Sequence, residues 1–291
     1  MNAKAGYLSL VIAILALGVV LFRAPHTSDS ASKKETAYER VMHTRTLRCA
    51  YSSRAHHFMR RADNKTISGI DYEIMEAIGK AAHIKIEWAE EVGLGAFPVL
   101  LNSGKQDAMC TPVWASVTRA QRVVASAPIL YSPLYAYVRE DDHRFNNNLE
   151  AINNEKVTIA VVDSSPGAFV AETAFPKAKP YALPIDNADS DRVLAVATGK
   201  ADVVLVDEAT AGSYNEHNAA HKIRRVSSST PVRMFPETFY VAMNEWALRE
   251  FLNAGIADLQ NNGTLDRILD KYEPDPTAIA RVASPYHFQK Q

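Results

Sequence analysis

Asn102-Ser103-Gly104-Lys105-Gln106-Asp107-Ala108-Met109 and Ala197-Thr198-Gly199-Lys200-Ala201-Asp202-Val203-Val204 are two versions of one phrase, set 95 residues apart. Each follows a short apolar pattern of helical spacing, Val99 and Leu100 in the first, Val193 and Leu194 in the second. In each, a glycine stands where a helix ends in a left-handed residue, a charged turn follows, and an apolar strand begins. The echo continues upstream: Leu47-Arg48-Cys49-Ala50-Tyr51 runs into Ser52-Ser53, and Val157–Val162 runs, after Asp163, into Ser164-Ser165. The expected fold is therefore α/β, two lobes of one plan. Two lobes joined by strands imply a ligand held in the cleft between them.

The chain of 291 residues is long enough for two ordinary domains, and 47% apolar residues supply their cores. A net charge of −1 carries no nucleic-acid footprint. His217 and His221 stand at i, i+4, a spacing that seats a metal on a helix, but no third ligand is near them, and neither metal nor cofactor is expected. At the N-terminus, Lys4 precedes an apolar run from Tyr7 to Phe22. As a helix it spans about 24 Å, which suits a signal peptide or a short anchor within residues 1–23. Phe22-Arg23-Ala24-Pro25 lacks the small residues that a cleavage site places after the run, so an uncleaved anchor over 7–22 is the favoured reading, with the rest exported. Cys49 and Cys110 are the only cysteines and fall on strands that the pattern sets side by side. Export allows a disulfide; two buried thiols are the alternative.

Residues 24–38 read as a polar tether. A strand at Leu47–Tyr51, a long polar loop over Ser52–Ser68, a helix from Gly69 with Ile74, Ile78 and Ala82 on its buried face, a strand through Ile84, Ile86 and Trp88, a helix over Phe97–Asn102 and a strand over Asp107–Thr111 make a parallel sheet. A strand at Tyr135–Arg139 leaves this lobe, and another at Thr238–Met243 returns to it. The first lobe thus comprises residues 39–134 and 236–275, the second 135–235, and 276–291 form a tail without pattern. Two crossings give a hinge.

Open parallel sheets bind ligands beyond the carboxyl ends of their strands. In the first lobe that edge holds Tyr51, Ser52, Thr111 and Trp114, with Ser116 and Arg119 opening the next helix. In the second it holds Asp163, Ser164, Ser165 and Asp207. Arg119 offers a planar fork that matches a carboxylate, and Asp207 ends the run Val203–Val206 on the opposite wall. A zwitterion fits between them, and an α-amino acid is the commonest. Other readings stand beside this one. Arg119 would be a solvated helix residue, with Arg122 one turn on able to replace it. Asp207 would be a cap for the helix at Glu208, Tyr51 and Trp114 core, and the serines caps or loop residues.

From Leu47 to Tyr272 the chain resembles the bacterial extracellular solute-binding proteins of family 3, the amino-acid-binding type with the type II periplasmic fold. The residues that carry the resemblance are Leu47-Arg48-Cys49-Ala50, Ser68-Gly69-Ile70-Asp71-Tyr72-Glu73, Leu101–Ala108, Ser116-Val117-Thr118-Arg119 with Ser126-Ala127-Pro128, Ala201–Asp207, and Asn262-Gly263-Thr264 with Ile268 and Lys271-Tyr272. The resemblance implies that Arg119 binds the ligand α-carboxylate and Asp207 the α-ammonium. It also implies a monomeric periplasmic protein that hands its ligand to an ABC permease. Pro112 and Trp114 stand where the family often has small hydroxyl residues. The same fold also serves a cyclohexadienyl dehydratase and sensory modules. A dehydratase would need a general acid, for which only Glu91 and Glu208 offer themselves, and no hydrolase elbow, phosphate loop or dinucleotide fingerprint is present.

Overall fold

The structure, a computed structural model, describes residues 35–54, 56–61, 66–162, 165–184, 189–227, 229–272 and 278–282. The apolar run 7–22 expected to be helical, most of the tether, Asp163 and Ser164 lie outside them. Among the described residues no helix is long and apolar enough to cross a membrane.

Thr36 opens the folded part with a capping box: its hydroxyl accepts the Glu39 N–H at 3.1 Å and Glu39 Oε2 accepts the Thr36 N–H at 2.9 Å, starting α1 (Ala37–Thr44). Strand β1 (Thr46–Tyr51) follows. The segment read as loop contains a small hairpin, β2 (Met59–Arg60) and β3 (Ile67–Ser68), whose two-residue strands are too short to show alternation. Then come α2 (Ile70–Ala82), β4 (Lys85–Glu91), α3 (Phe97–Asn102) and β5 (Ala108–Trp114). Ile74 and Ile78 are buried, as their spacing predicts. Strand β1 lies between β4 and β5, parallel to both.

A four-residue helix α4 (Val117–Ala120) and β6 (Val123–Ala125) lead to β7 (Leu130–Arg139). This strand starts five residues before its sequence-based start at Tyr135, because Pro128 and Pro133 interrupt the apolar pattern that marks a strand. The second lobe follows as β8 (Thr158–Val162), α5 (Pro166–Ala174), β9 (Lys179–Leu183), α6 (Asp189–Ala197), β10 (Val203–Val206), α7 (Glu208–His217) and β11 (Ile223–Arg225). The chain returns through β12 (Arg233–Ala242) to α8 (Trp246–Asn261), α9 (Thr264–Tyr272) and β13 (Ala280–Arg281). The two crossing strands are bonded to each other where the lobes meet: Leu130–Leu134 of β7 runs antiparallel to Arg233–Glu237 of β12. Beyond that stretch β7 pairs with β10 and β11, while β12 pairs with β5 and β6. The tail also takes part, since β13 pairs with the start of β7.

Both sheets are buried on two faces, and the period of two along each strand sorts the residues. In β7, Leu134, Ala136 and Val138 enter one cluster, and Tyr135 and Tyr137 the other; in β10, Val203 and Leu205 part from Val204 and Val206 in the same way. In the first lobe, Cys49 and Cys110 point with Ile74, Ile78 and Leu252 to one face, while Ala50, Met109 and Tyr240 face Phe97 on the other.

The sequence echo has a structural meaning. Gly104 and Gly199 take φ of 75° and 76°, the left-handed turn that only glycine adopts without strain. Each following aspartate then exchanges two bonds with one residue of its lobe's first strand. Asp107 N–H donates to the Arg48 carbonyl at 2.9 Å and its Oδ2 accepts the Arg48 N–H at 2.7 Å. Asp202 N–H donates to the Thr158 carbonyl at 3.0 Å and its Oδ2 accepts the Thr158 N–H at 2.8 Å. The aspartates thus extend the β5–β1 and β10–β8 pairing by one residue with strand-like bonds.

Arg144 joins this scheme in the second lobe, donating to Asp142 Oδ2 at 2.7 Å and to Asp202 Oδ1 at 2.6 Å. Its hydrogen bonds hold the Asp142 carboxyl below the usual carboxylate range. Burial would raise Asp202, but Arg144 and Thr158 outweigh it and the net shift is also downward. Groups lowered in the folded state stabilise it above their unfolded pKa, near 4, and lose that contribution as pH falls through the folded value. Arg144→Ala is therefore expected to move the acid-unfolding midpoint to higher pH, as followed by circular dichroism. An unmoved midpoint would show that the pairing is silent.

Cys49 and Cys110 are joined in a disulfide, with Cα atoms 5.4 Å apart and a sequence separation of 61. It staples β1 to β5 directly beneath the edge that carries Ser52, Thr111 and Trp114. Closing a loop of that length restricts the unfolded chain, so the Cys49→Ser/Cys110→Ser variant is expected to lose about 2–4 kcal/mol of unfolding free energy in a denaturant titration.

Candidate functional site

Thr111, on β5, is buried, and its Oγ1 accepts the Ser52 N–H at 3.0 Å, which fixes the start of the loop after β1. That loop folds against the N-terminus of α2: Ile70 and Asp71 donate their N–H groups to the His56 and His57 carbonyls at 3.1 and 2.9 Å. Gly69 is required there. Its φ is 126°, and a Cβ would stand 2.2 Å from the His57 carbonyl oxygen. The loop places Arg54 at the lobe junction.

Glu237, on β12, has none of its surface exposed. A buried carboxylate must be paired and hydrogen-bonded. Arg54 grips it end-on, Nη1 to Oε1 at 3.1 Å and Nη2 to Oε2 at 3.0 Å. Ser132 Oγ on β7 donates to Oε1 at 2.6 Å, and Trp114 Nε1 at the end of β5 donates to the same oxygen at 3.2 Å. One carboxylate therefore ties together both crossing strands, the loop after β1 and the end of β5. Burial would raise the Glu237 pKa, yet the charge of Arg54, aided by His57 and Ser132, keeps it below the usual range. Arg54 Nη2 also lies 2.9 Å from His57 Nδ1, which lies 3.1 Å from the buried Asp71 Oδ1.

Trp114 stacks on Phe235 at 4.5 Å with 5° between the rings, so it packs at the junction of the lobes. Its carbonyl accepts Arg119 Nη1 at 2.8 Å and the Tyr240 hydroxyl at 3.2 Å. Arg119 sits in α4, where Ser116 Oγ accepts its N–H at 3.3 Å. Its guanidinium is partly buried and has no carboxylate at ion-pair distance among the described residues. Desolvation pulls its pKa down against the opposing influence of Tyr240 and Glu237. Arg122, the alternative cation, is exposed.

Across the junction, Asp207 follows β10 and caps α7, its Oδ1 accepting the Thr210 N–H at 2.8 Å. Oδ2 has no hydrogen-bond partner among the described residues. Asp207 is close enough to Arg54 for its charge to help raise the guanidinium pKa, together with the larger contribution of Glu237, against the burial that lowers it. A run of hydrogen bonds therefore links Arg54 to Glu237, Glu237 to Trp114 and the Trp114 carbonyl to Arg119, while Asp207 reaches Arg54 through its charge alone.

The other candidates take supporting places. Tyr51 is buried, its ring 4.7 Å from Phe58 and 6.2 Å from Trp88, with Arg60 4.9 Å above it. Ser165 caps α5 through the Ala168 N–H at 3.1 Å. Glu91 accepts the Ser53 N–H at 3.3 Å. Glu208 is bound by Arg225 Nε at 2.7 Å and by the Tyr137 hydroxyl, and Arg225 lies 4.2 Å above the Tyr135 ring. Both carboxylates offered as general acids are thus engaged by the protein itself. Arg54 and Glu237 are not legible as site residues in the sequence. The one available signal is a lone Glu inside the strand-like Phe235-Pro236-Glu237-Thr238-Phe239-Tyr240, since a buried acid demands a buried base.

Residues 47–275 match the model of the bacterial extracellular solute-binding proteins, family 3. The chain belongs to this family. A Campylobacter jejuni protein named "Probable histidine-binding protein" is 26% identical over 274 residues, covering 90% of this chain and 96% of that relative. The periplasmic VFT2 domain of Bordetella pertussis BvgS has a TM-score of 0.69 at 19% identity, covering 81% of this chain and 97% of that domain. The substrate binding protein of an amino acid ABC transporter has a TM-score of 0.62 at 20% identity, covering 79% and 100%. At these identities the two structures show the shared fold alone, that of the type II periplasmic binding proteins. Membership of an extracellular solute-binding family implies a periplasmic place for this one.

Proposed function

We propose that this family 3 solute-binding protein captures an amino acid between its lobes, closes on it, and presents it to an ABC permease. What supports the reading is a pair of opposite charges, one in each lobe, Arg119 after β5 and Asp207 at the end of β10. Arg119 is desolvated with only a backbone carbonyl to serve, and Asp207 has one carboxylate oxygen committed to its cap and the other uncommitted among the described residues. An α-carboxylate on the first and an α-ammonium on the second would complete both at once. Micromolar affinity needs about 8 kcal/mol, within reach of two charge-assisted contacts made as closure removes water. The engagement of Glu91 with Ser53 and of Glu208 with Arg225 and Tyr137 favours binding over dehydration.

A thermal-shift screen against the common amino acids tests this. A ligand at a hundredfold excess over its Kd adds about 2.7 kcal/mol, a rise of roughly 5–10 °C for a domain of this size. At least one amino acid should produce it. A flat response to the whole panel would refute the proposal.

A further inference from the structure

We propose that Arg54 is the specificity-determining residue of the cleft, selecting amino acids whose side chains end in accepting oxygens, a carboxylate or its amide, and excluding lysine and arginine. The inference rests on the amino-acid-binding reading above.

In the cluster formed by Arg54, His57, Asp71 and Glu237, the side-chain exposures are 28% for Arg54, 7% for His57, 1% for Asp71 and 0% for Glu237. The member of the cluster that meets solvent is therefore the cation, and both carboxylates are withdrawn beneath it. Glu237 is closed to a ligand, since none of its side chain is exposed and Arg54, Ser132 and Trp114 surround it with donors. Its work is to hold the guanidinium in place. Arg54 uses Nη1 once and Nη2 for Glu237 and His57, so Nε–H and the second hydrogen of Nη1 have no partner among the described residues. Through Glu237 and Trp114 the guanidinium belongs to the same hydrogen-bonded run as Arg119, the residue assigned to the α-carboxylate, and the charge of Asp207 also reaches it. Among the described residues assigned to the ligand, the cleft thus presents two cations, Arg54 and Arg119, and the acid Asp207. A ligand with an α-carboxylate, an α-ammonium and a second oxygen-bearing group matches that triplet. A lysine or arginine side chain would instead meet Arg54 with like charge, and like-charge juxtaposition is the usual device for rejecting a wrong ligand.

Calorimetric titration of the wild-type protein with glutamate, glutamine, aspartate, asparagine, lysine and arginine tests the assignment without any variant. The tightest binder should be one of the first four, with lysine and arginine at least tenfold weaker. Glutamate and glutamine bound within threefold of each other would mark hydrogen bonding as the source, and a tenfold preference for glutamate would mark charge. Lysine or arginine bound as tightly as the best of the four would overturn the inference while leaving amino-acid capture intact. Binding of no amino acid at all would overturn both. In the Arg54→Gln/Glu237→Gln variant, which removes both buried charges together and keeps their polar groups, discrimination against lysine should fall to within about threefold. Discrimination undiminished in that variant, with its fold verified by circular dichroism, would also count against Arg54.

Discussion

Replacing Arg119 with alanine is expected to weaken amino-acid binding by about 2–5 kcal/mol, a thirtyfold to several-thousandfold rise in Kd. Much of that loss is a penalty: with the guanidinium gone, closure would bury the ligand carboxylate without its partner. The same substitution should leave the ligand-free protein nearly as stable as before. Arg119 makes one side-chain hydrogen bond, to the Trp114 carbonyl, and forms no ion pair among the described residues. A bond from a charged donor is worth about 1.5–3 kcal/mol, but the substitution also relieves the desolvation of the guanidinium, so the melting temperature without ligand should fall by only a few degrees. Calorimetry for affinity and a thermal melt for stability separate the two. Unchanged affinity in the variant would remove Arg119 from the site, and Arg122 would be the next cation to test.

Arg54→Ala should show the opposite balance. Glu237 is fully buried and its two oxygens are shaped around the Arg54 fork. Breaking a buried pair by removing one partner costs about 3–5 kcal/mol, because the remaining charge stays desolvated and uncompensated. A denaturant titration should read that loss directly. Removing both charges together is expected to cost less than removing either, since a buried pair replaced as a unit leaves no orphan. A double variant as unstable as the sum of the singles would mean that Arg54 and Glu237 stabilise the fold independently. The position of the pair gives it a second consequence. Ser132 and Glu237 lie on the two crossing strands, so loosening this contact also loosens the lobe junction and should weaken binding of every ligand.

The parts of this molecule that were legible in the sequence are those written in local patterns. Gly104 and Gly199 announce helix ends, Ser116 and Asp207 announce helix starts, and Ile74 with Ile78 marks a buried face; each signal occupies a few adjacent residues. Asp207 is read the same way, as the residue that ends a strand, and Arg119 as a first-turn residue of the helix behind Ser116. The pairing of Arg54 with Glu237 spans 183 residues and leaves no period to detect. The strands of the hairpin β2–β3, the three-residue β6 and the two-residue β13 are too short to alternate, and β6 and β13 are also held by partners remote in sequence. For the cysteines, the pattern sets their strands together but does not separate a bridge from two thiols. The sequence reads Trp114 equally as core or as a pocket wall. Its indole is stacked on Phe235 and bonded to Glu237, which makes it part of the lobe junction.

The central claim is that a dipolar guest satisfies a cation and an acid on facing walls at the same moment. It is tested most directly on the ligand. The best-binding amino acid should be compared by calorimetry with two analogues, one lacking only the α-ammonium and one lacking only the α-carboxylate. Each analogue should bind at least a hundredfold more weakly than the parent, and the analogue without the ammonium should gain relative to the parent when Asp207 is replaced by asparagine. An analogue stripped of either charge that binds as tightly as the parent would contradict the account.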